Sequence, residues 1–236
     1  MISVVIPAYN EEKTLPLLLE SFIHQTSKKP YEIILVNNNS TDNTDKIANS
    51  FKDRLPIHVI LEKQKGRGPA RRTGFATAKG EIILSTDADA ILPPTWIETM
   101  SNYFHDITVS AVTGTCVIKD LNFIDREIFN FIQPKLMFGY RLVWGHYWLT
   151  GSNFGIRKID YEKAGGFDIS LNAMEDIHLS PKVHQTGKII LNSSLPVTVS
   201  GRRFEDNLFK GLFEYGWSFT GYRLRGRQKA HLRDNR

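Results

Sequence analysis

The chain has 236 residues, enough for one large domain with a substantial buried core. A hydrophobic content of 41% and a charged content of 23% are ordinary for a globular protein and exclude a fibrous or disordered chain. The formal net charge is +5, and residues 222–236 carry the whole excess, with Arg223, Arg225, Arg227, Lys229, Arg233 and Arg236 against Asp234 alone. The remaining chain is formally neutral, which argues against a nucleic-acid partner.

Residues 1–7 lack the basic start of a signal peptide and predict a first strand. Cys116 is the single cysteine, so an internal disulfide is excluded and a reducing compartment is favoured. No apolar run is long enough to span a bilayer. These features predict a cytoplasmic protein, with a peripheral position at the inner face of the cell membrane as a compatible variant.

The first half of the chain alternates between strand and helix patterns. Such alternation predicts a parallel sheet with crossover helices. We predict strands over 3–6, 31–36, 57–61 and 81–85. We predict helices over 11–25 and 67–78, and a further helix capped near residue 40 or 41.

The second half continues the same sheet and is not predicted to form a separate domain. It contains an aromatic-rich helical stretch, with Phe123, Phe131 and Phe138 among its residues, for which an acceptor cleft and ordinary core packing are alternative interpretations. We predict helices over 94–104, 122–140, 160–164 and 174–185, and a strand over 109–119.

An Asp-x-Asp motif, Asp87-Ala88-Asp89, directly follows the strand predicted over 81–85. Ligands of parallel α/β sheets bind beyond the carboxyl ends of the strands, where the loops 7–10, 37–39 and 62–68 also lie. Two carboxylates there can hold a hard divalent cation, which suits a diphosphate ligand. The spacing also arises by chance in solvated turns, so the position at the strand end is what favours a metal site.

Six segments, taken in order, resemble a family 2 glycosyltransferase over residues 1–204. The segments are 4–12, 32–36 with 40–42, 87–89, 151–153, 165–168 and 175–176. The resemblance implies a GT-A fold: a Rossmann-like, mostly parallel α/β sheet flanked by helices. It also implies a nucleotide-sugar-binding half (1–90) and an acceptor-side half (91–204). Residues 205–236 would form a C-terminal helical appendage, an amphipathic aromatic helix with a basic tail.

The resemblance implies an inverting transfer of a sugar from a nucleotide-diphospho-sugar to an acceptor hydroxyl. A UDP-sugar is the expected donor, with GDP- and dTDP-sugars as alternatives. The acceptor would be a sugar, a lipid-linked sugar or a cell-surface glycan precursor. Mg²⁺ or Mn²⁺ would be the cofactor, because a divalent cation stabilises the departing diphosphate.

The resemblance also implies residue roles. Asp89 and Asp87 match the metal carboxylates, and Asp176 matches the catalytic base, with Glu175 beside it. The donor side would comprise Pro7, Ala8, Tyr9, Glu11, Asn37, Arg71, Asp87, Ala88 and Asp89. The acceptor or diphosphate side would comprise Gly151, Ser152, Asn153, Arg202 and Arg203.

Several of these residues have a second interpretation. Asn37 stands where the family usually has an aspartate, which leaves the nucleotide base open, and residues 37–39 also suit a tight turn. Glu175 and Asp176 would also complement a helix dipole. Arg71 would also suit a solvated helix surface. His178 stands where many relatives carry a second acidic residue, and it would also simply pack on its helix.

Three alternatives concern larger parts of the chain. The segment 205–236 suits either an interfacial helix on anionic lipid or a helix packed on the core. A non-catalytic nucleotide-sugar-binding protein is a second function. A sugar nucleotidyltransferase is a third, disfavoured because the loop after the first strand, 7–12, is acidic and not rich in glycine and basic residues.

Overall fold

The computed structural model describes residues 1–171 and 173–202. Within them, seven strands form one sheet in the order β3-β2-β1-β4-β6-β5-β7. The segment 205–236 and Arg203, for which the sequence makes predictions, lie outside the described residues. The strands are β1 (Ile2–Ala8), β2 (Tyr31–Asn37), β3 (Ile57–Leu61), β4 (Ile82–Ser85), β5 (Val109–Ile118), β6 (Phe154–Arg157) and β7 (Lys188–Val199).

Helices connect the strands and cover both faces of the sheet. A 3-10 turn, Tyr103–His105, follows the fourth helix. The helices are α1 (Leu15–Ile23), α2 (Thr44–Ser50), α3 (Arg67–Thr77), α4 (Trp96–Asn102), α5 (Phe123–Trp144), α6 (Lys158–Lys163) and α7 (Glu175–His184).

The strand directions confirm the predicted mostly parallel sheet. Strands β1 to β4 pair in parallel, and β7 pairs in parallel with β5. Strand β6, which the sequence pattern did not predict, lies antiparallel between β4 and β5. Its presence makes the sheet continuous from the first half of the chain to the second.

The alternating side chains of the central strands divide the core into two layers. Val4 and Ile6 of β1 pack on one face, against α1, α2 and α4. Val5 of the same strand packs on the other face, against α3, α6 and α7. Burial of both faces explains why the central strands are almost wholly apolar, since a parallel sheet with helices on both sides exposes neither face to water.

Two predicted helix boundaries were wrong by four residues, and the others differ by three or fewer. The first helix begins at Leu15 and not at position 11, because the backbone N–H groups of Glu11 and Glu12 bond Thr44 Oγ1 and Asp42 Oδ2 at 2.8 and 3.1 Å. Helix α5 continues past position 140 to Trp144, where Gly145 ends it with a left-handed φ of 80°.

The sheet collects the functional loops at one rim. The carboxyl ends of β1, β2, β3 and β4 lie there because these strands are parallel, and β5 and β7 run in the same direction. Strand β6 runs the opposite way, so the loop that precedes it, 151–153, starts from the same rim. The register pairs Ser85 with Phe154, which brings that loop next to the residues after β4.

Candidate active site

The Asp-x-Asp motif lies at the rim directly after β4. Asp87 Oδ1 accepts a 2.7 Å hydrogen bond from Arg71 Nη2, and Asp89 Oδ2 accepts a 2.9 Å bond from Arg202 Nη2. Ala88 between them is buried, so the backbone of the motif is packed into the core. Each carboxylate of the motif therefore has a different arginine as its partner.

Arg71 is buried, with 1% of its surface exposed, and does not lie on a solvated helix face. Its Nε donates to Glu175 Oε1 at 3.0 Å, its Nη1 to Ser85 Oγ at 2.6 Å and its Nη2 to Asp87 Oδ1 at 2.7 Å. Burial lowers the pKa of the guanidinium, but Asp87 and Glu175 outweigh that effect and raise it. One permanent positive charge thus joins the motif after β4 to the acidic pair on α7.

The acidic pair opens helix α7 behind Met174, whose φ of 61° is left-handed. Glu175 is buried against Arg71, whereas Asp176 is only partly buried. Asp176 Oδ2 accepts the backbone N–H of Gly151 at 2.9 Å, and its Oδ1 accepts that of Ile177 at 2.8 Å. Burial, and then the charge of Glu175, raise the pKa of Asp176 to about 7, although Arg71 opposes the shift.

Glu11 and Arg202 form a second charged contact at the rim. Arg202 donates through Nη1 and Nη2 to the two carboxylate oxygens of Glu11, at 3.0 and 2.6 Å. The Glu11 carboxylate also accepts Thr14 Oγ1 at 2.7 Å. Burial lowers the pKa of Arg202, and the contacts with Glu11 and Asp89 more than reverse the effect.

These residues fit a divalent cation that is shared with a substrate. Among the described residues, no group of three histidine, cysteine, aspartate or glutamate side chains could hold an ion alone. Magnesium at nucleotide sites uses one or two carboxylates together with substrate phosphates. In this structure the Asp89 carboxylate contacts the Arg202 guanidinium at 2.9 Å, so a cation at the same oxygen would have to replace that contact.

The loop before β6, 151–153, lies beside the residues that follow β4. Gly151 holds Asp176 through its backbone, and Ser152 Oγ lies 3.0 Å from Cys116 Sγ. Burial raises the pKa of the Cys116 thiol to about 12, so that thiol is neutral. Asn153 is fully buried, accepts Trp96 Nε1 at 2.9 Å and donates to the Thr115 carbonyl at 2.9 Å, so its amide supports the loop from inside.

The predicted nucleotide side lies at the ends of β1 and β2. Pro7 and Ala8 pair with Val36 and Asn37 across these strands. The amide of Asn37 is used within its own loop: Oδ1 accepts the Ser40 N–H at 2.9 Å, and Nδ2 donates to Asp45 at 3.2 Å. This agrees with the tight-turn interpretation of residues 37–39.

Two contacts at the rim involve residues that the sequence analysis did not select. Ser85, the last residue of β4, accepts a hydrogen bond from Arg71. Lys65 Nζ lies 3.2 Å from the hydroxyl of Tyr9 and 5.0 Å from the centre of its ring. Both positions could have been found, because each lies in or next to a segment that the parallel sheet brings to the rim.

His178 and Arg72 complete the residues considered from the sequence. His178 is a buried residue of α7, and its Nε2 lies 3.9 Å from Asp168 Oδ2. Its side chain therefore packs against the segment that contains Asp168. Arg72 is exposed and donates to the Phe167 carbonyl at 2.8 Å. Arg71 and Arg72, adjacent in sequence, thus point to different environments.

Helix α5 buries Tyr140 and Met137 but exposes several of its other aromatic and apolar side chains, which core packing alone does not explain. Within the part of the chain that the structure describes, no helix is both long and apolar enough to cross a membrane. Lys135 Nζ lies 3.0 Å from the centre of the Phe131 ring. The exposed residues that share one side of the helix, its apolar face, are Phe123, Ile124, Phe131, Phe138 and Leu142, and Leu136, Val143 and Trp144 are exposed elsewhere on it.

Curated relatives with named activities match this chain. A probable glycosyltransferase of Bacillus subtilis, YdaM, is 31% identical over 79% of this chain and 47% of its own length. Human dolichyl-phosphate β-glucosyltransferase is 29% identical over 61% of this chain and 49% of its own. An undecaprenyl-phosphate 4-deoxy-4-formamido-L-arabinose transferase of Proteus mirabilis is 41% identical over 39% of this chain and 30% of its own. The chain therefore spans about half or less of the length of these relatives.

Solved structures share the fold. The mannosyltransferase PcManGT of Pyrobaculum calidifontis, in complex with GDP-Man and Mn²⁺, matches with a TM-score of 0.67 and 24% identity, covering 84% of this chain and 56% of its own. S. aureus TarS 1-349, in complex with UDP-GlcNAc, matches with a TM-score of 0.67 and 19% identity, covering 84% of this chain and 58% of its own.

The family model described as glycosyl transferase family 2 matches residues 3–165, which is more than half of the chain. The match includes β1, the Asp-x-Asp motif and the 151–153 loop, and it agrees with the GT-A-like architecture of the structural neighbours. The chain therefore belongs to glycosyl transferase family 2.

Proposed function

We propose that this chain transfers a sugar, with inversion, from a nucleotide-diphospho-sugar to an acceptor hydroxyl. The observation that carries the proposal is the line of contacts from Asp87 through Arg71 to Glu175 and Asp176. It sets the predicted donor carboxylates and the predicted base at one rim. Sugar transfer by direct displacement requires both parts, because the leaving diphosphate and the attacking hydroxyl lie on opposite sides of the sugar carbon.

Asp176 suits the role of general base. Its carboxylate is partly accessible, and its pKa of about 7 places half of it in the unprotonated form near neutrality. Two backbone N–H groups hold its oxygens and fix its direction. Glu175 supports this role indirectly, since its buried negative charge raises the pKa of Asp176 and its ion pair with Arg71 keeps it in place.

Asp89, with Asp87 beside it, would hold Mg²⁺ or Mn²⁺ together with the donor diphosphate. When bound, the cation would stabilise the negative charge that develops on the leaving group. The uracil-containing ligand of TarS favours a UDP-sugar, and the GDP-Man complex of PcManGT keeps a GDP-sugar as the alternative. Tyr9 beside Lys65 offers a ring and a cation next to the ends of β1 and β2, where the nucleotide is expected.

The acceptor has two candidate classes, and Asp176 discriminates between them. A hydroxyl must lose a proton as it attacks, so it needs a base. A lipid phosphate, the acceptor class in the names of the dolichyl- and undecaprenyl-phosphate relatives, is largely ionised at pH 7 and needs none. The raised pKa of Asp176 favours a hydroxyl, whereas the exposed apolar face of α5 favours an acceptor carried by a lipid. A hydroxyl on a lipid-linked sugar satisfies both observations.

A donor screen followed by a transfer assay tests the proposal. Thermal unfolding with UDP-, GDP- and dTDP-sugars plus Mn²⁺ identifies the donor, because a bound ligand raises the midpoint by mass action. Release of the nucleoside diphosphate is then measured for Asp89→Ala, Asp176→Asn and the control Asp53→Asn. The control removes an exposed carboxylate from the segment between α2 and β3.

Three outcomes of the assay are informative. We expect Asp176→Asn to lower kcat by roughly 10²–10⁴-fold with a hydroxyl acceptor. A phosphate acceptor would leave the rate of Asp176→Asn nearly unchanged, while Asp89→Ala would still be inactive. If no sugar is transferred and all variants bind the donor equally, the non-catalytic binding function would replace the enzymatic one.

A further inference from the structure

Arg202 reaches the rim because β7 runs parallel to β5 and ends on the same side. The turn after β7 is fixed by Asp120, whose oxygens accept Ser200 Oγ at 2.9 Å and the Gly201 N–H at 2.7 Å. This anchoring directs the Arg202 guanidinium to Glu11 and Asp89. The contact joins residues 191 positions apart in the chain.

The Arg202 guanidinium is the counter-ion of two carboxylates, those of Glu11 and Asp89. Glu11 is buried, with 2% of its side chain exposed, and Asp89 is 16% exposed. Two carboxylates that approach one guanidinium would otherwise repel each other in a poorly solvated place. Arg202 binds Glu11 with both terminal nitrogens but reaches Asp89 with only one of them. Arg202 therefore makes fewer hydrogen bonds to Asp89 than to Glu11. Its side chain is 20% exposed at the rim.

On the basis of the function proposed above, we propose that Arg202 takes the place of the divalent cation at Asp89 when no donor is bound. A guanidinium and a divalent cation beside the same carboxylate oxygen repel each other. Arg202 must therefore release Asp89 before the cation and the donor diphosphate are bound there.

Glu11 keeps Arg202 near the site after this release. The Nη1 bond to Glu11 is independent of Asp89, whereas Nη2 bonds both carboxylates, and once it has left Asp89 it can donate to an anion. Arg202 then faces the diphosphate and favours its binding. It is a positioning residue that opposes the cation in the empty site and supports the diphosphate in the loaded one.

Binding of Mn²⁺ without sugar transfer tests the exchange. Free Mn²⁺ is measured by electron paramagnetic resonance during titration of the full chain, with wild-type protein, Arg202→Gln, Arg202→Lys and the control Arg54→Gln. Arg54 is a matched arginine because it also binds a glutamate, Glu20, with two nitrogens, but both side chains are exposed. Each variant is first checked for a wild-type circular dichroism spectrum and cooperative unfolding.

Without nucleotide, we expect Arg202→Gln to bind Mn²⁺ about tenfold more tightly than wild-type protein, which corresponds to the loss of one charged competitor. Arg202→Lys should lie between the two, and Arg54→Gln should match wild type. With UDP present, the order should reverse for nucleotide affinity, because the glutamine offers no positive charge to the diphosphate. Equal or weaker Mn²⁺ binding by folded Arg202→Gln would overturn the exchange.

The double variant Asp89→Asn/Arg202→Gln separates this inference from the proposed function. Loss of Mn²⁺ binding in the double variant assigns the cation to Asp89. If the double variant loses Mn²⁺ while Arg202→Gln binds it like wild type, only the exchange is wrong. If the double variant binds Mn²⁺ as tightly as Arg202→Gln, the cation is held elsewhere and both the exchange and the metal assignment fail.

Discussion

The guanidinium of Arg71 bonds three different side chains from inside the core: Glu175, Ser85 and Asp87. The planar fork of arginine provides donors in three directions at once, which a lysine ammonium on a flexible stem does not reproduce. Loss of the fork leaves Glu175 as a buried, unpaired carboxylate. The stability of the protein and the geometry of the site therefore depend on the same contact.

Replacing Arg71 by methionine should lower the free energy of unfolding by about 3–5 kcal/mol, the usual cost of removing one partner from a buried ion pair. Urea unfolding at pH 7.5 measures the change. Arg54→Met is the control and should change the free energy by about 0–1 kcal/mol, because its pair with Glu20 is exposed. Equal effects of the two substitutions would show that Arg71 is not a stabilising link.

The pH dependence of transfer follows from Asp176. A general base acts in its unprotonated form, and the pKa of this carboxyl is raised to about 7. The rate at low donor and acceptor concentration should therefore rise about tenfold per pH unit up to pH 7 and level off above it. Asp176→Asn should flatten this rise. A wild-type profile that levels off already at pH 5 would rule out Asp176 as the base.

The pH dependence of stability has the opposite sign for this group. Between the ordinary aspartate pKa of 3.8 and about 7, the folded protein holds a proton on Asp176 that the unfolded chain releases. The contribution of Asp176 to the free energy of unfolding therefore falls as the pH rises through this range. Activity and this part of the stability change in opposite directions across the same window.

Most of the residues that meet at the rim were selected from the sequence, but their contacts could not be predicted. Glu11, Asp89 and Arg202 were recognised as separate parts of motifs. Their meeting depends on the register of β7 with β5, which no local pattern encodes. The burial of Arg71 was likewise hidden, because a helix with two adjacent arginines shows which of them faces the core only when its neighbours are known.

At the scale of elements, helix α7 and the loop before β6 are fitted closely together. Met174 precedes α7 in the left-handed region, which costs a non-glycine residue of order 1–3 kcal/mol where the surroundings hold it. Gly151 lies against the first turn of α7, where a Cβ would be 2.6 Å from Arg71 Nη2 and 3.0 Å from Asp176 Oδ2. The loop therefore has no room for a side chain on that side.

Gly151→Ala should reduce transfer at least tenfold, because the methyl group displaces the ends of Arg71 and Asp176. The fold should survive, with a loss of about 1–3 kcal/mol, since these are side-chain ends and not backbone. Turnover and urea unfolding are measured together. Gly139→Ala on α5 is the control: nothing lies within 4 Å of its Cβ, and alanine in a helix should stabilise by about 0.5–1 kcal/mol.

The exposed apolar face of α5 predicts binding to anionic lipid. Phe131, Phe138 and Leu142 are 65%, 51% and 73% exposed, and Lys135 lies over the Phe131 ring. Aromatic side chains with neighbouring basic groups are typical of helices that lie in the membrane interface. Sedimentation with vesicles containing phosphatidylglycerol should capture the full chain, and Phe131→Ser/Phe138→Ser should reduce the captured fraction severalfold.

Two further variants of the chain test which segment contacts the lipid. Ile107→Ser removes an 88% exposed side chain outside α5 and should leave the captured fraction unchanged. A chain ending at residue 204 tests the predicted contribution of 205–236. Full capture of Phe131→Ser/Phe138→Ser, with none by the shortened chain, would assign the contact to the C-terminal segment and not to α5.

At the scale of the whole molecule, the sequence predicts the parallel strands and helices of the first half, because alternating apolar runs report burial on both faces of a sheet. It does not predict β6. Four residues, Phe154–Arg157, are too few to show a period, and their antiparallel position between β4 and β5 arises from contacts distant in the chain. Strand β6 joins β4 of the first half of the chain to β5 of the second.

The position of β6 has a consequence for dissecting the protein. Cutting the chain after residue 90 would remove β6 from β4 and leave the backbone N–H and C=O groups on that side of β4 unpaired along an open edge. Such an edge recruits strands from other copies and promotes aggregation. The predicted nucleotide-sugar-binding half is therefore a poor candidate for a stand-alone module or a minimal donor sensor, and an engineered fusion should retain the chain at least through Val199, because β7 covers the edge of β5.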